Sequence, residues 1–270
     1  MAVLPPPGRI GQRLVPCVID ELALLDPDRV LYSMSKTKGP AEGFQDVTAR
    51  QFARIVDRCA WYIEENLGRG ENFPTLTYMG PHDIMFAVLI IASIKTGHKL
   101  LLNSPRNTLE AHLSLFEQTN CNTFLLPTEF NLPIIKQILG KRSMHVLDIH
   151  SLTFWSEERQ DIPRPYPYNK TFEEARLEPF VVMHTSGSTG LPKIVIMTHG
   201  TMAPLDAFSC LPQQGLSPTY PSLCAGKRIY SSFPLFHSAG VSIILPASIF
   251  AGFTVVLGPF PPSPATTNAM

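Results

Sequence analysis

Residues Thr185 to Lys193, Thr-Ser-Gly-Ser-Thr-Gly-Leu-Pro-Lys, gather four hydroxyls, two glycines and one lysine directly after an apolar run. This is the chemistry of a polyphosphate grip. Glycines let a backbone turn and approach a ligand closely, and successive N–H groups in such a turn form an anion-binding concavity. Thr185, Ser186, Ser188 and Thr189 add hydroxyl donors beside Gly187 and Gly190, and Lys193 adds a mobile positive charge. The spacing excludes the common alternatives. Counted from Gly187, a Walker loop needs glycine where Pro192 stands and Ser or Thr where Ile194 stands. A dinucleotide fingerprint needs glycine at Thr185, and no Gly-x-Ser-x-Gly elbow occurs here. Without further context the string remains compatible with a plain Ser/Gly-rich turn.

The flanking patterns place this loop between two strands. Phe180–His184 reads as the incoming strand and Ile194–Met197 as the returning one, unlike the strand-to-helix setting of a Walker loop. Upstream, Thr48 with Gln51 forms a capping box for a helix presenting Phe52, Val56, Cys59 and Ile63 on one face, stopped by Gly68. Asn107 with Glu110 predicts a second box. Asp83–Thr96 reads as a helix apolar nearly all round, hence buried, and 132–139 as a short helix ending at Gly140. Strands are predicted at Leu76–Met79, Lys99–Leu102, Thr123–Leu126, Met144–Ile149 and Ile229–Phe233, with a helix over His199–Cys210. Strands alternating with helices argue for an α/β fold of layered sheets with flanking helices. The prolines of 162–169 predict a linker, and those of 259–270 a disordered tail.

Composition narrows the function classes. The 270 residues carry 22 basic and 22 acidic side chains, so there is no electrostatic case for nucleic acid. Hydrophobic residues, at 44%, are ample for a core. Five scattered cysteines without a CxxC pair read as reduced, mostly buried thiols of a cytoplasmic protein. His145, Asp148 and His150 do not have metal-ligand spacing. No signal-peptide core is seen near the start. The uncharged run from Ser238 to Gly258 has the length of a membrane span, yet Pro246 and Gly252 divide it. It reads instead as a buried helix followed by a central strand, Phe253–Leu257. That strand's neighbours are expected to lie outside this chain, leaving an unpaired edge and an apolar patch.

The loop resembles the Thr-Ser-Gly-Ser-Thr-Gly-x-Pro-Lys motif of the adenylate-forming enzymes: acyl-CoA synthetases, luciferases and nonribosomal peptide synthetase (NRPS) adenylation domains. The resemblance extends to Val47–Ala53 with Arg58–Trp61, to Ile94–Lys99 with Ser104–Asn107, and to Phe233-Pro234-Leu235-Phe236-His237-Ser238-Ala239-Gly240. It is strongest to the fungal NRPS-like adenylate-forming reductases. One departure is Ile194, where relatives carry a small or turn-forming residue.

The resemblance implies ATP-dependent activation of a carboxylic acid as acyl-adenylate in fungal secondary metabolism, with Mg²⁺ on the phosphates. Thr185 to Gly190 would bind ATP phosphates, Lys193 would follow the pyrophosphate, and Phe236, His237, Ser238 and Gly240 would shape the acyl pocket. Taken alone, His237 reads first as the cap of a buried helix; the motif turns the reading towards the acyl pocket. Asp206 and His237 form a triad only on paper. The family's adenosine-binding and C-terminal lysine motifs are not found after Gly258, nor is a carrier or reductase segment. The resemblance therefore implies a truncated adenylation domain over 21–258, preceded by an extension over 1–20. Its partners would be a carboxylic acid, and a carrier protein or a second chain supplying the missing half. The alternative is a non-catalytic module that keeps the fold without turnover.

Overall fold

The computed structural model describes residues 9–36, 43–156, 162–185 and 190–258. In chain order the elements begin α1 (Val15–Leu25), β1 (Val30–Ser35), β2 (Phe44–Thr48), α2 (Ala49–Leu67), β3 (Thr75–Tyr78), α3 (Met85–Lys95), β4 (Lys99–Leu102) and α4 (Leu109–Thr119). They continue with β5 (Thr123–Pro127), α5 (Pro133–Lys141), β6 (His145–Ile149), α6 (Leu152–Ser156), α7 (Phe172–Ala175), β7 (Pro179–Thr185), β8 (Lys193–Thr198) and α8 (His199–Ser209). The last are α9 (Tyr220–Leu223), β9 (Arg228–Ser231), α10 (Ser238–Ser242), α11 (Ser248–Ala251) and β10 (Thr254–Leu257). The α/β class with layered sheets and flanking helices is the architecture found.

Six strands form one sheet in the order β6-β5-β3-β4-β7-β8, parallel except for the antiparallel pair β7–β8. Alternate side chains face opposite sides of a strand. Leu100, Leu102, Leu125, Val181 and Met183 therefore join the large core against the first helices, while Leu101, Phe124 and Val182 meet Leu115, Phe116, Ile135 and Ile138 of α4 and α5. A parallel sheet covered on both faces needs such apolar strands. Every residue of α3 is buried, because it packs on α1 and α2 as well as on β4 and β7. Each fully buried Leu, Ile or Phe there contributes about 1.5–3 kcal/mol.

The second sheet has the order β2-β1-β10-β9. Here the expectation of an unpaired edge fails. β10 lies in the middle, parallel to β1 (Tyr32 opposite Val255) and to β9 (Val255 opposite Ile229). Val255 and Leu257 are buried, as are Ile249 and Phe250 of the preceding helix. The edge strands of this sheet are β2 and β9; on β9 Tyr230 is exposed, and Phe233 is exposed just beyond it.

The run before β10 is helical from Ser238 to Ala251, with a π-helical turn over Ile243–Ala247 around Pro246. Proline cannot donate to a regular helix, and a wider turn accommodates it. Gly252 ends the helix at φ +78°. Among the described residues no helix is long and apolar enough to cross a membrane.

Three local readings are corrected. Thr108, not Asn107, caps α4, accepting from the Ala111 N–H. α5 runs through Gly140, which is not among the glycines with positive φ and so does not break the helix. The proline-rich stretch is no free linker. Tyr166 and Tyr168 are buried; the Tyr166 ring lies 4.6 Å from that of Trp61, whose indole N–H donates to the Arg164 carbonyl at 2.7 Å. Prolines mark extended backbone, but the interleaved aromatics dock it on α2. The predicted tail, 259–270, lies outside the described residues.

Candidate functional site

β7 and β8 pair in antiparallel register, with His184 opposite Ile194 and Thr185 opposite Lys193. Thr185 and Lys193 are exposed at the open end of this pair, so the two ends of the predicted phosphate loop face solvent together. Ser186, Gly187, Ser188 and Thr189 lie outside the described residues. Gly190 sits at φ +88° with open space around it, so its need for glycine is conformational rather than steric. Ile194 packs towards α4, because alternation turns it away from the face that Lys193 occupies. The departure from the family pattern thus anchors β8.

Two side chains that the sequence did not single out hold this pair. The Ser104 N–H donates to His184 Nε2 at 3.3 Å, and Asn107 Nδ2 lies 3.2 Å from the same atom. Gln118 of α4 straddles Lys193: its Nε2 donates to the Pro192 carbonyl at 2.9 Å, and its Oε1 accepts from the Ile194 N–H at 3.4 Å. His184 is held below the ordinary histidine range by burial, then by the charge of His237. His112, buried on α4, is lowered to about 4 by burial and then by His184.

His237 caps α10, its Nδ1 accepting from the Ala239 N–H at 3.4 Å. The capping role is therefore real, and the charge of His237 contributes to lowering His184 at the end of β7. Ser238 is exposed beside it, and Phe236 packs partly on the core. Gly240 has a packing reason: an added Cβ would lie 2.1 Å from the Pro234 carbonyl oxygen. Asp206 is not paired with His237. Its buried carboxylate accepts from the Gly11 and Arg13 N–H groups at 3.0 and 3.2 Å, and from the Arg13 guanidinium at 2.8 and 2.5 Å. Burial pushes the thiols of Cys59 and Cys121 up to about 12, which leaves them inert as nucleophiles.

A cleft of about 780 Å³ opens at the carboxyl ends of strands from both sheets, lined in part by Met34, Tyr78, Asp83, His150 and Leu257. Such crevices are where open α/β sheets take ligands. Burial raises the Asp83 carboxyl to about 7, against a hydrogen bond from the Met85 N–H. Among the described residues, none of those predicted for the site lines this cleft.

Comparison with known proteins gives this geometry a family. The AMP-binding enzyme family matches residues 21–269, and the chain belongs to it. The chain is 36% identical over 245 residues to the isocyanide synthase–NRPS hybrid crmA of Aspergillus fumigatus, covering 88% of this chain and 16% of that protein. It is 33% identical over 238 residues to a carboxylic acid reductase of Neurospora crassa, covering 86% of this chain and 22% of that one. The chain thus spans less than a quarter of these fungal relatives. Its fold matches o-succinylbenzoate coenzyme A synthetase of Bacillus subtilis, solved with ATP and magnesium ion. That match has a TM-score of 0.64 at 20% identity, over 93% of this chain and 59% of that one. The resemblance to adenylate-forming enzymes holds for both sequence and fold.

Proposed function

We propose that this chain binds ATP through the β7–β8 loop and serves the activation of a carboxylic acid as acyl-adenylate, within an NRPS-like adenylation domain of fungal secondary metabolism. The observation that carries this reading is the Thr185–Lys193 string, whose two ends meet as an exposed cross-strand pair. In the reaction a carboxylate oxygen attacks the α-phosphorus and pyrophosphate leaves. The protein's task is to align the reactants and neutralise charge. Thr185, Ser186, Gly187, Ser188, Thr189 and Gly190 are proposed to hold the β- and γ-phosphates, and Lys193 to accompany the pyrophosphate. His237, with Phe236, Ser238 and Gly240, is proposed to border the acyl group. A carrier protein is the proposed acceptor, in keeping with the NRPS relative.

Magnesium is proposed only as a companion of the triphosphate, since it is commonly bound through phosphates and one or two carboxylates. The described residues contain no group of three His, Cys, Asp or Glu side chains able to hold a metal, and no step here depends on one.

The test is ATP binding by calorimetry together with ATP–pyrophosphate exchange across a panel of carboxylic acids. Binding with exchange for one acid class supports the reading. Binding without exchange favours a module that grips nucleotide without turnover. No ATP binding at millimolar concentration overturns the phosphate grip.

A further inference from the structure

We propose, on the basis of the phosphate-loop reading above, that His184 and Gln118 are positioning residues: they fasten the two ends of the loop to the β4–α4 segment, and His184 does so only as a neutral acceptor. Both ends are held from the same stretch of chain. Ser104 and Asn107, in the turn between β4 and α4, grip the β7 end through His184 Nε2. Gln118, near the end of α4, grips the β8 start on either side of Lys193. The cross-strand pair Thr185–Lys193 is thereby set relative to α4 before any ligand arrives. Binding energy otherwise spent on ordering is saved when a site is preorganised.

The protonation state follows from the donors. The Ser104 backbone N–H is a donor in any tautomer, so the atom it faces, His184 Nε2, must offer its lone pair. Asn107 Nδ2 shares that lone pair. The ring proton of neutral His184 is then on Nδ1. A second proton on Nε2 would set N–H against N–H and release the latch. The titratable groups around the ring are His112 from α4 and His237 at the start of α10, with Lys193 on the neighbouring strand one register position on. Burial, and then the charge of His237, push His184 towards neutrality.

This sets the latch apart from direct phosphate binding by a cationic histidine. If His184⁺ touched the phosphates, its contribution to ATP affinity would grow as pH falls. If His184 is a neutral latch, that contribution shrinks. ATP's own protonation is common to wild type and variants, so their difference isolates the histidine.

The experiment measures ATP and AMP affinity by calorimetry between about pH 5 and about pH 7.5 for the whole chain and for His184→Gln, His184→Phe and Gln118→Leu. At neutral pH His184→Phe and Gln118→Leu are expected to weaken ATP by about tenfold, the worth of one or two hydrogen bonds, and AMP much less. His184→Gln, which keeps an acceptor, is expected to retain neutral-pH affinity and to lose the acid-side fall. Equal weakening of ATP and AMP, or a wild-type affinity that gains on His184→Gln as pH falls, overturns the proposal. ¹⁵N-histidine NMR on the wild-type protein reads the latch without any ligand and without reliance on variant folding. A neutral His184 with its proton on Nδ1 supports the latch, and a proton on Nε2 at neutral pH overturns it. Absence of ATP binding by the wild type would strike the phosphate reading, while the NMR result still decides the tautomer.

Discussion

Thr185 and Lys193 are cross-strand partners at the open end of the β7–β8 pair, one closing the incoming strand and the other opening the return. This pairing fixes the backbone of Lys193, and its side chain is exposed to solvent. Lys193→Ala is expected to weaken ATP binding by about ten- to a hundredfold, since hydrogen bonds to charged groups are worth about 1.5–3 kcal/mol. AMP binding should change little, because AMP lacks the β- and γ-phosphates. Calorimetry with both nucleotides checks this, and equal losses would count against the assigned role.

Lys95 is fully buried and bridges Asp20 of α1, at 2.7 Å, and Asp57 of α2, at 2.9 Å. Removing one member of a buried ion cluster strands the others, at a cost of about 3–5 kcal/mol. Lys95→Met should therefore lower the melting temperature strongly at neutral pH. The loss should shrink as pH falls. Burial already raises both carboxyls, and without the lysine they rise further, so protonation in the folded state relieves the uncompensated charge. Thermal melts across pH decide this; a loss that grows on the acid side would refute it.

Asp206 belongs to a structural clamp joining residues 11–13 to α8, and Arg13 also lies over the Phe250 ring at 5.2 Å. Asp206→Asn keeps the shape and removes the charge. It is expected to lower thermal stability and to leave nucleotide affinity of the folded protein unchanged. A selective loss of ATP binding at unaltered melting temperature would return Asp206 to the site.

What the sequence discloses here is mostly local. The Thr48–Gln51 capping box, the buried α3 and the strand-to-strand setting of the loop depend on residues within a few positions of one another. What it conceals is separated along the chain. The latch from His184 to Ser104 and Asn107 closes over 80 and 77 positions, and that from Gln118 to Pro192 over 74. No spacing rule connects them. The central place of β10 depends on β1, whose Tyr32 meets Val255, so a strand that looked unpartnered finds its neighbour near the start of the chain. Asn107 was misread as a cap because Thr108, one residue on, offers the same chemistry with the required extended backbone.

His112 offers a stability test that also bears on acid sensitivity. It is fully buried on α4, and both ring nitrogens are buried without a hydrogen-bond partner among the described residues. Its ring lies 6.3 Å from that of Phe116, and His184 is the charged neighbour that lowers it further. A buried polar atom left unsatisfied costs about 1–3 kcal/mol, whereas an apolar group of similar shape avoids the cost. His112→Phe should therefore raise the melting temperature by several degrees, at about 2–4 °C per kcal/mol for a chain of this size. The pH dependence follows from the depressed pKa, about 4 in the fold against 6.5 when exposed. Stability contributed by neutral His112 is present above about 6.5 and is lost as pH falls towards about 4, since the unfolded chain takes up the proton first. Asp20, Asp57 and Asp83, whose carboxyls are raised, oppose this trend equally in wild type and variant, so the difference between the two curves reports His112. The variant's curve should be flatter between those limits. A variant that melts below the wild type with an unchanged acid limb would show that the ring nitrogens do have partners in solution.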